Sequence, residues 1–317
     1  MQGEMYRCVK MQIGDKKRDI TVYSQQALHR QRVLLQKTRG SLKKRIHKSA
    51  YGYVEGRSTW TAAQYIMKHT ERHARVLVCD IKSFFPSIDR NILTIMLHQL
   101  LDPGDVQEMM LYASCCESGI AQGSPLSPAL SNCYLHDMDR ALCMQPRTTY
   151  LRYADDLIIL THDTERAMHV LREQLRPLHL RINEKKVYEG AARSQFHFLG
   201  FEFSGRRLRV SREKQQEMNI RMNLASDAER RTIFQGFQAY YRNTMYLHPD
   251  LDTLRWVLRY APLMQSTSYI RQFSNAQWKQ AQRVLSDMDH SMKTWTSTAV
   301  MAPMGRVFHK ESVHSAG

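Results

Sequence analysis

The sequence has no Cys-X-X-Cys pair, no run of 18 apolar residues and no apolar stretch near its first residue. The spacing of its six cysteines and 14 histidines therefore gives no support for a zinc site, and we expect free thiols. Without a spanning segment or an export signal, we expect a cytoplasmic protein with no membrane partner. Repeats, low-complexity tracts and Pro- or Gly-rich linkers are also missing, which predicts that the parts of the chain pack together.

Acidic residues are few relative to basic ones. Of 317 residues, 46 are Lys or Arg and 30 are Asp or Glu, which gives a formal net charge of +16. Residues 30–48 contain eight basic residues and no acidic one, and residues 206–317 contain 17 basic and nine acidic residues. This excess favours a polyanionic partner, with nucleic acid favoured over a membrane surface.

The spacing of apolar residues predicts a mixture of helices and strands. A buried strand is predicted over residues 74–81 and an alternating strand over 196–203. Helices are predicted over residues 24–48, 90–101, 124–143 and 163–180, and over most of the chain beyond 206. With a hairpin before the fourth helix, this order predicts an α+β fold.

The stretch YLRYADDLIILTHD, residues 150–163, sets Asp155 and Asp156 side by side in an apolar run. Adjacent side chains on a strand face opposite sides, so one continuous strand would leave a charge in the core. We therefore predict a tight hairpin with Ala154, Asp155 and Asp156 at its tip. Taken alone, this pattern favours a solvated turn over a functional site.

A third carboxylate, Asp80, ends the predicted buried strand VLVCD. A strand-end Asp and a pair of Asp residues at a hairpin tip could together hold two divalent cations for phosphoryl transfer. This hypothesis requires Asp80 to lie beside the hairpin.

Five segments resemble, in order and spacing, motifs A to E of reverse transcriptases: VCDIKSFFPSID, GIAQGSPLSPALSN, YLRYADDLIIL, LRINEKKV and FHFLGFEF. The resemblance, to the prokaryotic lineage of group II intron and retron enzymes, covers residues 14–205 and includes the fingers-like segments GDKKRDITVYSQQALHRQRVLL and SAYGYVEGRS. It implies a right-hand polymerase. The expected domains are fingers at 1–75, packed with part of 90–122, a palm at 76–205, and a helical thumb at 206–317, where FQGFQAYYRN resembles the start of the thumb.

The resemblance implies the catalytic roles. Asp80 and Asp155 would be the principal ligands of two Mg²⁺ ions, with Mn²⁺ as a substitute, and Asp156 would lie closer to the primer end. Lys186, or its neighbour Lys185, matches the motif D lysine that would protonate the leaving pyrophosphate. Two adjacent lysines are also typical of a solvated loop.

The resemblance also implies a set of substrate-binding residues. Lys17 and Arg18 would bind the triphosphate, and Lys16 is a weaker candidate for the same role. Phe85 would be the sugar gate, whereas Phe84 would be a core residue. Gln122 and Gly123 would lie against the nucleotide and the template, and Arg57 would face either the nucleotide or the template. Ala121 stands where Pro is usual, which we expect to loosen this loop. The primer grip would be a hairpin at Phe198, Leu199 and Gly200, a pattern that core packing also explains.

In the predicted thumb, aromatic residues interleave with arginines. Helical spacing predicts that most of the aromatics are core residues, and the arginines are candidates for contacts with the backbone of an RNA-containing duplex. The residues concerned are Tyr240, Tyr241, Trp256, Trp278, Trp295, Arg242, Arg255, Arg259 and Arg283.

We therefore expect an RNA-directed DNA polymerase that uses dNTPs and an RNA template to make cDNA. About 110 residues follow position 205, too few for a maturase region, and the retron tripeptide Val-Thr-Gly is missing. A stand-alone enzyme of anti-phage defence, working with a structured non-coding RNA, is favoured over retron or group II intron mobility. The sequence does not indicate the oligomeric state.

Three other functions remain open at this point. A nucleic-acid-binding scaffold without catalysis would not need three intact aspartates. A palm-domain nucleotide cyclase would carry a Gly-Gly-Asp/Glu-Glu-Phe stretch, which is missing here. RNA-templated RNA synthesis differs from the favoured function mainly at Phe85.

Overall fold

The computed structural model describes residues 5–13, 16–205 and 207–246. The chain divides into two units, of which the first ends at Ser194 and the second begins at Gln195. No helix in the described ranges is long and apolar enough to cross a membrane. All six cysteines are described, and each is a free thiol.

The first unit contains most of the described helices and strands. Its strands are β1 (Tyr6–Ile13), β2 (Lys16–Tyr23), β3 (Arg75–Asp80), β4 (Thr149–Tyr153), β5 (Asp156–Thr161) and β6 (Tyr188–Ala191). Its helices are α1 (Gln25–Lys43), α2 (Thr59–Thr70), α3 (Phe84–Ser87), α4 (Arg90–His98), α5 (Pro103–Ala113), α6 (Ser127–Tyr134), α7 (His136–Cys143) and α8 (Thr164–Leu175). Single turns of 3₁₀ helix lie at Arg176–Leu178 and Glu184–Lys186.

An antiparallel sheet in the order β4-β5-β3-β6 forms the centre of this unit. β5 is buried from Leu157 to Thr161, so its apolar run is continuous, as expected for a strand that is covered on both faces. α7 packs on β4, and α8 packs on β3 and β5. β3 and β5 pair along their whole length, which brings the C-terminal end of β3 beside the start of β5.

The hairpin of β1 and β2 is attached at its base to the end of α5 and to the segment between α5 and α6. The Thr21 backbone N–H donates to the Gln122 carbonyl at 2.7 Å, and the Thr21 hydroxyl donates to the Cys115 carbonyl at 2.8 Å. The Tyr23 hydroxyl donates to the Tyr112 carbonyl at 2.6 Å. Thr21 and Tyr23 are buried, whereas the residues nearer the turn of the hairpin are exposed.

Several predicted elements are confirmed. The strand predicted over 74–81 is β3, and the helix predicted over 90–101 is α4, whose first amides are capped by the Asp89 carboxylate. The basic helix predicted over 24–48 is α1, which begins after Ser24, whose hydroxyl accepts the Ala27 N–H. Its buried residues recur every three or four positions: Ala27, Gln31, Leu34, Thr38 and Leu42.

Two predicted helices differ from the prediction. The helix predicted over 124–143 is broken at Leu135 into α6 and α7. α6 is buried on nearly all sides, and the Tyr134 hydroxyl at its end donates to the Leu178 carbonyl at 2.7 Å, a tertiary contact that no local pattern shows. The helix predicted over 163–180 ends as α8 at Leu175 because Pro177 lacks the N–H that a further turn needs.

The second unit begins with a three-stranded antiparallel sheet of β7 (Phe196–Phe198), β8 (Phe201–Ser204) and β9 (Arg207–Val210). α9 (Arg212–Leu224) and α10 (Asp227–Tyr246) follow. The single strand predicted over 196–203 is wrong, because the chain reverses at Leu199 and Gly200, with φ values of 53° and 72°. Beyond residue 206 the described part is mainly helical, as predicted.

Helices combined with antiparallel sheets confirm the α+β class. The boundaries of fingers, palm and thumb stay a prediction.

Candidate active site

β4 and β5 form a tight hairpin whose tip carries the paired carboxylates. Ala154 and Asp155 are its loop residues, and Asp156 is the first residue of β5, opposite Tyr153. Ala154 has a φ of 56°, the left-handed conformation that two-residue hairpin loops commonly require. The predicted hairpin is confirmed, with a loop one residue shorter than expected because Asp156 belongs to the strand.

Asp80, the last residue of β3, lies beside this tip. Its Cα is opposite that of Asp156 in the antiparallel register. The next residue, Ile81, donates its backbone N–H to the Asp155 carbonyl at 3.1 Å. The structure therefore brings Asp80 together with Asp155 and Asp156, from which it is distant in the sequence.

The Asp155 carboxyl is in an environment that disfavours its charged form. Burial raises the pKa of Asp155 above its usual value, and the neighbouring Asp80 carboxylate raises it further, while Lys186 and Arg18 oppose the rise. Asp155 and Asp156 are both partly buried, so the tip is not the fully solvated turn that its sequence also allowed. A bound cation would relieve the repulsion between these carboxylates.

The two carboxylate oxygens of Asp80 differ in their surroundings. Its Oδ2 pairs with the Lys186 ammonium, whereas the buried Oδ1 has no hydrogen-bond partner among the described residues. Carboxylate oxygens are the ligands that Mg²⁺ and Mn²⁺ prefer, so the donor chemistry fits a divalent cation. In the described ranges no three His, Cys, Asp or Glu side chains form a group that could hold a metal ion, and the assignment of the aspartates as ligands stays a prediction.

Of the two motif D candidates, Lys186 is the one that contacts Asp80. It lies in the 3₁₀ turn that follows Asn183, whose backbone N–H donates to the Asp80 carbonyl at 2.9 Å. Lys185 is exposed, and no ion pair joins it to another residue that the structure describes. The geometry therefore favours Lys186 for the predicted role near pyrophosphate.

The segment at residues 49–52 lies against the hairpin tip. The Tyr51 N–H donates to the Arg152 carbonyl at 2.7 Å, and the Arg152 N–H donates to the Ser49 carbonyl at 2.9 Å. A Cβ atom on Gly52 would lie only 2.3 Å from the Ala154 nitrogen, so this approach requires glycine. No sequence pattern singled out Gly52, because its partner is about a hundred positions away.

Arg152 is fully buried and holds the hairpin from the inside. Its Nε and Nη2 donate to the Asp139 carboxylate at 2.8 and 2.6 Å. Its Nη1 donates to Asn132 Oδ1 at 3.0 Å and to the Ala154 carbonyl at 3.1 Å. Asn132 in turn donates through Nδ2 to the Gly52 carbonyl at 3.1 Å. The only sequence signal for this network is an arginine in an otherwise apolar strand.

Arg57 stabilises the same loop. Its Nη1 donates to the Lys48 carbonyl at 2.7 Å and also to the Ala50 carbonyl. Its guanidinium lies 4.8 Å from the centroid of the Tyr51 ring. These contacts explain the position of Arg57, and its contact with nucleotide or template stays a prediction.

Gln122 and Gly123 lie where β2 meets the loop before α6. Gly123 has a φ of 114°, and a Cβ there would lie 2.3 Å from the Thr21 carbonyl oxygen, so this close approach again requires glycine. The Ala121 N–H donates to the Ala113 carbonyl at 2.8 Å. Proline could not make that bond, so the expectation that Ala121 loosens the loop is not supported.

Lys17 and Arg18 are exposed on β2. Burial raises the pKa values of Asp155 and Tyr53, and the positive charge of Arg18 lowers both. Arg18 is therefore within electrostatic reach of the Asp155 carboxylate. Neighbouring side chains on a strand face opposite sides, so Lys17 does not share that face. The side chain of Lys16 lies outside the described residues.

Phe84 and Phe85 occupy different environments. Phe84 is 3% exposed and belongs to the core, as predicted. Phe85 is partly buried at the edge of the core, with its ring centroid 5.5 Å from that of Phe84. Its backbone is fixed because the Ile120 N–H donates to its carbonyl at 3.0 Å. The edge position agrees with the predicted sugar gate, which remains to be tested.

In the second unit, Leu199 and Gly200 form the turn between β7 and β8, and Phe198 is the last residue of β7. The turn is supported by a hydrogen bond of 2.9 Å from the Ser211 N–H to the Gly200 carbonyl. Phe198 is buried. The primer grip therefore has the expected hairpin shape, and its contact with a primer stays a prediction.

Most of the residues predicted to make thumb contacts lie outside the part of the chain that the structure describes. The Tyr240 side chain is described, and its hydroxyl donates to the Leu199 carbonyl at 3.4 Å. Outside the described residues lie the side chains of Tyr241 and Arg242 and the whole of Trp256, Trp278, Trp295, Arg255, Arg259 and Arg283.

Comparisons with known proteins agree with this geometry. A family model described as reverse transcriptase (RNA-dependent DNA polymerase) matches residues 14–203. Curated relatives include the retron Ec86 reverse transcriptase of Escherichia coli, 27% identical over 47% of this chain and 48% of that protein. The retron Mx65 reverse transcriptase of Myxococcus xanthus is 30% identical over 45% of this chain and 36% of that protein. The matches thus span about half or less of these two relatives.

Solved structures show the same fold at low identity. Telomerase from Candida albicans, in complex with a TWJ fragment of telomeric RNA, is similar with a TM-score of 0.55 and 11% identity, over 92% of this chain and 66% of that one. Telomerase from Candida tropicalis, in complex with a TWJ fragment, has a TM-score of 0.51 and 12% identity, over 98% and 64%. These similarities concern the fold alone, and they confirm the expected right-hand polymerase fold.

Proposed function

Because this chain belongs to the reverse transcriptase family, whose model matches residues 14–203, we propose that it is an RNA-directed DNA polymerase. The observation that carries the proposal is the meeting of Asp80 with Asp155 and Asp156 at the ends of adjacent strands. Nucleotidyl transfer needs little covalent chemistry from the protein and depends on charge and position. An arrangement of three carboxylates flanked by Lys186 and Arg18 supplies both.

We assign Asp80, Asp155 and Asp156 as the residues that would hold divalent metal ions, Mg²⁺ first and Mn²⁺ as a substitute. When bound, two such ions lower the pKa of the attacking hydroxyl and neutralise the leaving pyrophosphate. The unpartnered Oδ1 of Asp80 and the raised pKa of Asp155 support this assignment. Lys186, which pairs with Asp80, would donate a proton to the pyrophosphate oxygen.

The nucleotide would be held by residues from three elements around the carboxylates. Arg18 on β2 would bind the triphosphate, because a guanidinium can contact phosphate through two N–H groups, with Lys17 adding charge nearby. The backbone of Gln122 and Gly123 would lie against the nucleotide and template. Phe85 would exclude a ribose 2′-hydroxyl and so favour dNTPs.

α1 offers a basic surface for the RNA template. Its buried stripe faces the core, whereas Arg30 and Arg32 in the helix, Lys43 at its end and Lys44 just after it are exposed. These four form no ion pair with another described residue, whereas Lys37 pairs with Asp105. Phosphate contacts of this kind do not depend on sequence and weaken with salt. We propose that they hold the template backbone.

The proposal is tested by primer extension. The purified chain, with a DNA primer on an RNA template, dNTPs and Mg²⁺, should give extended DNA, and a chelator should prevent it. A chain that binds the RNA and extends no primer in Mg²⁺ or Mn²⁺ would instead support the non-catalytic scaffold.

The biological role is a separate proposal. We propose a stand-alone bacterial enzyme that copies a dedicated structured non-coding RNA in anti-phage defence; the alternative is mobility of the retron or group II intron type. The similarity to retron reverse transcriptases supports a retron-like lineage. Sequencing the RNA that co-purifies with the chain, and the cDNA made from it, discriminates these roles, because an enriched intron RNA would contradict the defence role.

Phe85→Ala should relax the choice of sugar. Removing the ring takes away the surface that would clash with a 2′-hydroxyl, so the ratio of dNTP to rNTP incorporation should fall by roughly tenfold or more. The measurement compares kcat/KM for dTTP and UTP on the same template. Phe84→Leu is the matched control, since a core substitution should leave the ratio unchanged. Unchanged discrimination in Phe85→Ala would reject the gate assignment.

A further inference from the structure

Tyr53 is a large aromatic residue that is exposed at the candidate active site. Its side chain is 53% exposed. Its ring meets that of Phe85 edge to face, with centroids 6.5 Å apart and planes inclined at 71°. Partial burial raises the pKa of Tyr53, and the Asp155 carboxylate raises it further, so the phenol lies within electrostatic reach of that carboxylate. The ring therefore lies beside the predicted sugar gate, and the preceding residue, Gly52, packs against the hairpin tip.

The backbone of Tyr53 adopts a conformation that is unfavourable for its residue type. Its φ is 61°, in the left-handed region that aromatic residues rarely occupy. Such a conformation costs free energy and persists only where the surrounding structure holds it. Gly56, three positions later, has a φ of 76° and open space around it. The same loop therefore uses glycine at a position where the backbone needs a positive φ and no side chain is required. A glycine at position 53 would make the same turn at less cost, which indicates that the ring itself is needed.

The residues before Tyr53 are firmly held, so the exposed ring is presented by an ordered loop. Tyr51 is hydrogen-bonded to the Arg152 backbone. The Gly52 carbonyl accepts from Asn132, and its Cα packs against the hairpin tip beside the carboxylates. The loop that carries Tyr53 and the hairpin that carries Asp155 are thus tied together.

We propose that Tyr53 and Phe85 together form an aromatic wall against which the sugar of the incoming nucleoside triphosphate packs. This inference rests on the proposed polymerase function and adds a second determinant of nucleotide selectivity. The edge contact with Tyr53 limits where the Phe85 ring can move. Loss of the Tyr53 ring therefore weakens nucleotide binding and also lets Phe85 yield to a 2′-hydroxyl.

The test uses three variants of the full chain. Tyr53→Asn removes the ring but keeps a residue that tolerates positive φ, Tyr53→Ala removes the ring alone, and Tyr53→Phe keeps it. With an oligo(dT) primer on poly(rA), the Asn and Ala variants should raise KM for dTTP roughly tenfold. They should change kcat much less, because the ring contacts the bound nucleotide in the ground state and transition state alike. They should also lower discrimination against UTP, while the Phe variant stays near wild type in both measures.

Tyr65→Ala is the matched control, because Tyr65 is another exposed tyrosine of the same unit, 37% exposed, whose ring contacts Tyr51 and His69. Binding of dTTP in Ca²⁺, with a chain-terminated primer, measures affinity without chemistry. Unchanged KM and unchanged selectivity in Tyr53→Asn, or weaker primer-template binding with an unchanged dTTP affinity, would overturn this inference alone. A wild-type chain that neither binds dTTP nor extends a primer would overturn the proposed function as well.

Discussion

Replacing Asp155 and Asp156 together with Ala is expected to abolish DNA synthesis while the protein stays folded and binds RNA. The loss should be roughly a thousandfold or more, because the carboxylates would hold the metal ions whose charge stabilisation supplies several kcal/mol, and about 4 kcal/mol corresponds to that factor. The measurement is primer extension at saturating dNTP. Asp80→Asn should give a similar loss, since its buried Oδ1 would lose its negative charge.

Stability should change little or rise in these variants. Burial and the Asp80 carboxylate raise the pKa of Asp155, which means that the folded state disfavours its charge, so removing the charge relieves repulsion. Thermal unfolding and a salt titration of RNA binding serve as controls. Synthesis retained by the double variant would contradict the site assignment, whereas a large loss of stability would show that the tip has a structural role.

Arg152→Met is expected to lower the free energy of unfolding by about 3–5 kcal/mol, because it leaves the Asp139 carboxylate buried without its partner. Both side chains are fully buried, and their ion pair is 2.6 Å long. Asp139→Asn should lower the free energy of unfolding by a similar amount, because it leaves the Arg152 guanidinium buried without its partner. Urea denaturation with matched slopes measures the effect. A change below about 1 kcal/mol, the range of exposed pairs, would show that the ion pair is not buried in solution.

A triple variant separates stability from positioning. The Tyr150 hydroxyl also donates to Asp139, at 2.8 Å, so Arg152→Met, Asp139→Leu and Tyr150→Phe together replace the network with apolar groups. Replacing a buried ion pair in this way is often neutral or stabilising, but Asn132 Oδ1 and the Ala154 carbonyl lose the donor that Arg152 supplied. We therefore expect the triple variant to recover most, but not all, of the stability that Arg152→Met loses. Synthesis should stay impaired, because the bond from Arg152 to the Ala154 carbonyl is lost. Full activity in a stable triple variant would show that this network does not position the tip.

The sequence predicted elements whose causes are local. The buried strand before Asp80, α1 and α4 follow from apolar spacing and capping residues, and the hairpin follows from two carboxylates in an apolar run. The prediction of one strand over 196–203 was wrong because the turn that divides it falls partly on Leu199, and leucine rarely adopts a positive φ. The break between α6 and α7 has no glycine or proline to mark it.

By itself the sequence determined the family, the motif order and the prediction that these three aspartates hold metal, because these depend on residue types at fixed spacings. Only the tertiary structure decided that Gly52 must be glycine, that Lys186 and not Lys185 contacts Asp80, and that Tyr53 stands beside Phe85. These facts depend on close approaches between segments far apart in the chain. Steric exclusion and pairing across such distances leave no periodic pattern in the sequence, so they become visible only when the chain is folded.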